Sequence, residues 1–157
     1  MRRKDREITD IEEILQIVGT AKILHLGLFD GVYPYVVPLH YGYAYEEGRL
    51  IFYAHSASEG HKLDLIREDP HVCAELECNV GLISGGDVAC KYGSTFASVI
   101  GRGTAELVQD EAEKIRGLTL LMKHQTGRDF AFDSAMAAPV EVIKVTLTDF
   151  SAKARKQ

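Results

Sequence analysis

Residues 50–67, LIFYAHSASEGHKLDLIR, set the strongest local constraint on the fold. Leu50, Ile51, Phe52, Tyr53 and Ala54 form an apolar, aromatic run of strand length. A polar loop, His55-Ser56-Ala57-Ser58-Glu59-Gly60, follows, and Leu63, Leu65 and Ile66 then continue at helical spacing. The segment reads as a strand feeding a helix N-terminus. Such a terminus presents unpaired N–H groups and the positive end of a dipole. With two hydroxyls, a flexible Gly60 and the cation of Lys62 beside it, the junction suits an anion such as phosphate. The same residues also fit a plain helix start, capped by Ser56 or Ser58, with Lys62 solvated.

The flanking chain is mostly alternating strand pattern. Thr9-Asp10-Ile11-Glu12 resembles a capping box, and Ile14, Leu15 and Val18 share one helical face before Gly19 supplies a stop. Residues 21–28 (AKILHLGL) alternate as a first strand, and Phe29-Asp30-Gly31 turns the chain back antiparallel. The second strand, YPYVVPLHYGYAY, puts Tyr35, Val37, Leu39, Tyr41, Tyr43 and Tyr45 on one face. Pro38 cannot donate a ladder hydrogen bond, so this strand must lie at an edge, bulge or corner, where a planar ligand can meet its backbone. His40, on the other face, also reads as a half-buried histidine bonded to a neighbour. Glu46-Glu47-Gly48 closes a hairpin into Leu50.

After the helix, Asp69-Pro70 marks a break and residues 71–77 (HVCAELE) alternate again. Residues 79–93 are glycine-rich and aperiodic, a surface loop or a segment ordered by a partner. Residues 94–108 resume a strand in which Gly101 and Gly103 suggest a bend or the close approach of another backbone. Asp110 and Glu113 mark a second helix cap, with Ile115, Leu118, Thr119 and Met122 on a core face. Residues 127–138 read as a connector and 140–150 as a final β-branched strand. The expectation is six strands and three helices, mainly β, in an antiparallel barrel that leaves few edges.

A chain of 157 residues is sized for a single domain, here 1–157. A net charge of -5 argues against nucleic acid, which is bound by clustered cations, and the basic ends, Arg2-Arg3-Lys4 and residues 153–156, read as solvated tails. No apolar run is long enough for a membrane helix, and no signal segment opens the chain. Cys73, Cys78 and Cys90 are odd in number and contain no C-x-x-C pair, which points to a reducing cytoplasm and to no structural zinc or other metal site. No G-x-G-x-x-G follows a strand and no G-x-S-x-G occurs, which sets aside Rossmann and α/β-hydrolase readings.

Three segments in this order, YPYVVPLHYGY at 33–43, LIFYAHSASEGHKLDLIREDPHVCAEL at 50–76 and FASVIGRGTAEL at 96–107, resemble the pyridoxamine 5'-phosphate oxidase-related FMN-binding split barrels, and within them the nitroimidazole-resistance (Nim-like) branch. The resemblance implies a six-stranded antiparallel split β-barrel, a homodimer and FMN held in clefts between subunits. It implies that Val36, Val37, Pro38, Leu39 and His40 line the isoalloxazine, and that Tyr53, Ala54, His55 and Ser56 border the ring and ribityl chain. Lys62, helped by His61, would neutralise the phosphate, and Ser98 and Val99 would approach from a neighbouring strand or the other subunit. His55 is the catalytic candidate on the same ground, with a purely structural loop histidine as the alternative. Relatives often carry Arg near His61 or Lys62, or at the position of Ala97, so this chain offers the phosphate fewer cations.

The implied function is an FMN-dependent oxidoreductase that passes electrons to a small aromatic or nitro-substituted acceptor, with His55 or His40 as proton donor. Two alternatives stand beside it: a flavin- or haem-binding protein that stores or senses a cofactor, and a pyridoxamine 5'-phosphate oxidase.

Overall fold

The computed structural model describes residues 4–156. Arg2 and Arg3 of the basic N-terminal run lie outside the described residues. Eight strands form one sheet: β1 (Glu7–Ile8), β2 (Ile23–Asp30), β3 (Tyr33–His40), β4 (Gly42–Glu46), β5 (Arg49–Ser56), β6 (His71–Ile83), β7 (Gly93–Leu107) and β8 (Glu141–Arg155). The helices are α1 (Ile11–Thr20), α2 (His61–Glu68), α3 (Glu111–Thr126) and the short α4 (Ser134–Ala137). All pairings are antiparallel, in the order β3-β2-β6-β7-β8-β5-β4, with β1 added to β8.

The mainly β, antiparallel class is as the sequence implied; the expected six strands and three helices are corrected to eight and four. The predicted second strand breaks at Tyr41. Its first half, β3, pairs only with β2, and its second half, β4, pairs only with β5. The sheet therefore ends in two strands that are consecutive in the chain but not hydrogen-bonded to each other, which is what splits the barrel. Pro38 sits on the terminal strand β3, one side of whose backbone has no ladder partner. The glycine-rich stretch is also more ordered than expected. β6 runs on to Ile83 and β7 starts at Gly93, with a register shift between Cys78 and Gly81. Residues 153–155 are not a solvated tail but the end of β8, and Lys156 pairs with Glu13 at 2.8 Å.

Alternation builds the core. Leu24, Leu26 and Leu28 of β2, Leu50, Phe52 and Ala54 of β5, and Ala74, Leu76, Val99, Ile143 and Val145 point into the barrel. Ile51, Tyr53, Leu118 and Val142 form a smaller cluster beneath α3. Each such large aliphatic side chain contributes about 1.5–3 kcal/mol on full burial. The caps are aspartates: Asp10 accepts from Glu13 N–H at 2.9 Å, one residue later than the Thr9 box predicted, and Asp110 accepts from Glu113 N–H at 2.8 Å. At Gly103 the expected close approach is present, since a Cβ there would lie 1.8 Å from the carbonyl oxygen of Thr146.

The corner between β3 and β4 is held by polar contacts inside the apolar core. The buried Tyr41 hydroxyl lies 2.6 Å from Val18 O and 2.9 Å from Ala21 O, sharing its proton between them. Burial pushes the phenol well above its usual pKa. The Tyr41 ring stacks at 4.7 Å on His124, whose Nε2 donates to Ala21 O at 2.8 Å. Gly42 follows because α3 crosses there: a Cβ would fall 2.2 Å from Leu121 N.

Two outcomes follow from this corner. Gly42→Ala forces two backbones apart and is expected to cost roughly 3 kcal/mol, the upper range for overpacking, measurable by urea unfolding. Burial, then the Lys22 charge, lowers the pKa of His124. Its folded pKa is thus below the unfolded value, so its contribution is complete above about pH 6.5 and is lost as pH falls through the folded value. His124→Gln, which retains a donor, should flatten that acid-side loss in unfolding curves taken across pH.

Candidate functional site

The site is built where β5 gives way to α2. Along β5, Leu50, Phe52 and Ala54 face the barrel interior while Ile51 and Tyr53 face α3. The alternation continues, so His55 emerges exposed and Ser56 turns inward, only 5% exposed. The Ser56 hydroxyl has no hydrogen-bond partner, and it is the one side-chain polar atom so placed among the described residues. A buried unsatisfied hydroxyl costs about 1–3 kcal/mol, so it stands out in an otherwise satisfied interior.

The helix that follows starts without a side-chain cap. α1, α3 and α4 each have an aspartate cap, whereas α2 begins after Gly60 with no side-chain cap. Neither Ser56 nor Ser58 caps it, so the expected serine cap is corrected to an uncapped start after Gly60. Gly60 adopts φ 146°, a conformation that a side chain would oppose. Leu63 N–H bonds Gly60 O at 2.8 Å, and the amides of His61 and Lys62 have no partner among the described residues. Lys62 is half-buried and makes no ion pair or hydrogen bond among them. One hydroxyl, two amides and one ammonium within seven residues thus retain unused donor capacity, at the positive end of a helix dipole.

Other predicted site residues are distributed unequally around this junction. His61 is already engaged: its Nε2 lies 2.8 Å from Asp30 Oδ2, and its ring meets Tyr35 edge-on at 5.2 Å. It is anchored to the end of the β2–β3 hairpin, and Lys62 is left as the free cation. Tyr53 is fully buried under α3, where its hydroxyl donates to Glu113 at 3.1 Å and accepts from Arg116 at 3.2 Å. The hydrogen bond from Lys144 holds the Glu113 carboxyl below its usual pKa, and Glu113 in turn raises Lys144. Its backbone is paired with Gly42 on one side and Lys144 on the other, so Tyr53, expected to border the ring, presents no exposed surface to a ligand.

On β3 the alternation separates Val37 and Leu39, which face the core, from the exposed Val36, Pro38 and His40. Ser98 lies on the same outer face of the sheet, and Val99 points inward. His40 is exposed rather than half-buried. Gln125 donates to Lys22 O and Tyr41 O, which leaves its Oε1 to accept from His40 Nδ1 at 3.1 Å. The ring nitrogen Nε2 of His40 is thereby free. The His55 side chain has no hydrogen-bond partner among the described residues.

A cavity of about 910 Å³ lies on the outer face of β2, β3, β6 and β7. Phe29, Pro34, Val36 and Val72 give it an apolar wall, and His25, His71, Glu75 and Arg102 supply polar groups. Sequence reasoning missed this grouping. The pairing of β2 with β6 joins residues about fifty positions apart, and no local pattern announces it.

Comparison with known proteins agrees with this architecture. The candidate 5-nitroimidazole antibiotic resistance protein of Bacteroides thetaiotaomicron is 30% identical, with 94% of this chain and 86% of that chain covered at a TM-score of 0.78. A flavocytochrome of Azotobacter vinelandii is 23% identical over 100% of this chain and 72% of that chain, at a TM-score of 0.78. A FAD- and haem-binding protein of Mycobacterium smegmatis is 16% identical over 97% and 74%, at a TM-score of 0.79. The last two are likenesses of fold. Among curated proteins none matches. No helix among the described residues is long and apolar enough to cross a membrane. The sequence profile of pyridoxamine 5'-phosphate oxidase matches residues 10–154, nearly the whole chain, and with the split-barrel fold this places the protein in the pyridoxamine 5'-phosphate oxidase family.

Proposed function

We propose that this chain is an FMN-binding oxidoreductase, active as a homodimer, that reduces a small aromatic or nitro-substituted acceptor. The observation that carries the proposal is the uncapped start of α2 with the orphaned Ser56 hydroxyl and the unpaired Lys62 beside it. These donors fit a phosphate monoester with its ribityl chain. The amides of His61 and Lys62 and the Lys62 ammonium would hold the phosphate, and Ser56 would hydrogen-bond the ribityl chain. The backbone of Val36 to His40 and of Ala54 and His55 would border the isoalloxazine, with Ser98 and Val99 closing the cleft from a neighbouring strand or the second subunit. Bound flavin supplies the hydride chemistry. His55, exposed and unpartnered, would deliver a proton to the acceptor, and His40 through its free Nε2 is the other candidate. The choice of acceptor follows from the likeness to the Bacteroides protein.

A second reading, a haem- or flavin-binding protein without turnover, is favoured by one feature of the outer cavity. His71 lines it, with its Nδ1 2.7 Å from Asp69, the arrangement that orients an imidazole for an iron through the other nitrogen. The flavocytochrome and the FAD- and haem-binding protein share this fold.

Purified protein should be yellow with flavin absorbance bands and should oxidise a nicotinamide donor; a colourless protein that also ignores added FMN refutes the proposal. Haem uptake without flavin turnover would favour the second reading. Lys62→Ala should weaken FMN binding about tenfold to a hundredfold, as loss of a charge-assisted hydrogen bond does, measured by flavin fluorescence quenching. Ser56→Ala should leave the flavin-free protein as stable or about 1 kcal/mol more stable, since it removes an unsatisfied group, yet bind FMN less tightly.

A further inference from the structure

A second constellation lies on the outer face of the sheet and uses none of the residues assigned to the flavin. His25 of β2 stands directly opposite Glu75 of β6 in the antiparallel register, and Glu77 follows on the same face. His25 Nδ1 lies 3.2 Å from Glu75 Oε2 and 3.9 Å from Glu77 Oε2. One donor atom from each of the three side chains lies within 4.8 Å of the others. Both carboxylates face this imidazole, and neither pairs with a lysine or arginine among the described residues. Glu113 in the first turn of α3, by contrast, is neutralised by Lys144 at 2.6 Å. Two adjacent carboxylates held together without a strong cation are an electrostatic expense.

The spacing matches a metal ion. A tetrahedral ion with bonds of about 2.0–2.1 Å separates its ligand atoms by about 3.3 Å. The distances of 3.2 and 3.9 Å bracket that value before any adjustment of rotamers. The ligands stand on two directly paired strands inside the sheet, a support that limits how far they can drift apart. A cavity of about 910 Å³ opens on the cluster, with His25 and Glu75 in its wall, so coordination positions beyond the three protein donors face accessible space. An imidazole with two carboxylates selects borderline transition metals over Mg²⁺ or Ca²⁺, which take oxygen ligands.

We propose that His25, Glu75 and Glu77 form a binding site for a divalent transition metal of the Zn²⁺ and Co²⁺ class, with its remaining coordination positions open to the outer cavity.

The test uses the full chain, stripped of metal with a chelator and titrated with Co²⁺, followed by its visible d–d bands, and with Zn²⁺ by calorimetry. One ion per chain is expected, with Mg²⁺ at least a hundredfold weaker. His25→Asn should weaken Zn²⁺ binding at least a hundredfold and Glu77→Gln at least tenfold. His71→Asn, which alters the other histidine of the same cavity, should leave it unchanged. Glu77→Gln also relieves repulsion between the carboxylates, so without metal its thermal unfolding midpoint should equal or exceed that of the parent, which separates loss of a ligand from loss of fold. Absence of saturable binding, or binding that survives both His25→Asn and Glu77→Gln, overturns the proposal. Because the readout needs no flavin, its failure and the failure of the FMN reading are separate results.

Discussion

The corner at Tyr41-Gly42 governs what this fold exposes. A strand that ran straight through it would keep one partner and one sheet direction. Instead the buried Tyr41 hydroxyl anchors the chain to the carbonyls of Val18 and Ala21, and Gly42 lets the backbone of α3 press against the turn. The chain must then change sheet neighbour, from β2 to β5. A gap without ladder hydrogen bonds is left between β3 and the β4–β5 pair, so the barrel remains split, and the end of β5 with the start of α2 belongs to the rim of that opening.

Polar groups are treated differently on the two sides of β5. Beneath α3, Tyr53, Glu113, Arg116 and Lys144 satisfy one another, which allows ionisable groups to be partly buried without an uncompensated charge. At the end of the same strand, Ser56 and the first amides of α2 have no such partners. The first two amides of α1 and α3 likewise lack partners among the described residues, so what is particular to this rim is the buried Ser56 hydroxyl beside the unpaired Lys62. The anchoring of His61 to Asp30 sharpens the point. It leaves Lys62 as the cationic side chain at the junction with no partner among the described residues.

Much of the local architecture was legible. Alternation placed the strands, the hairpin turns at Gly31 and Gly48 were read correctly, and Asp110 with Glu113 marked the start of α3. Pro38 was read as an edge or corner residue, and β3 is a terminal strand. Other features were not legible, each for a reason. Six alternating aromatic and aliphatic residues run from Tyr35 to Tyr45 with no change of period, so nothing marked the break at Tyr41. The register shift between Cys78 and Gly81 disrupted the alternation of β6, and its outer end looked like loop. Ser56 and Ser58 have the chemistry of caps, and only the geometry showed that neither serves as one.

What the sequence determined by itself is therefore local: where the chain is extended or helical, which face of each strand is apolar, and that hydroxyls, a glycine and a lysine gather at residues 55–62 where a strand meets a helix. Those properties depend on side-chain period and on donors within a few residues of one another. Tertiary structure decided which strands became neighbours, that Ser56 lost its partners on turning inward, and that His25 came to face Glu75 across fifty residues. Such outcomes depend on chain crossings and on the packing of α3 against Gly42, where distant segments compete for the same space.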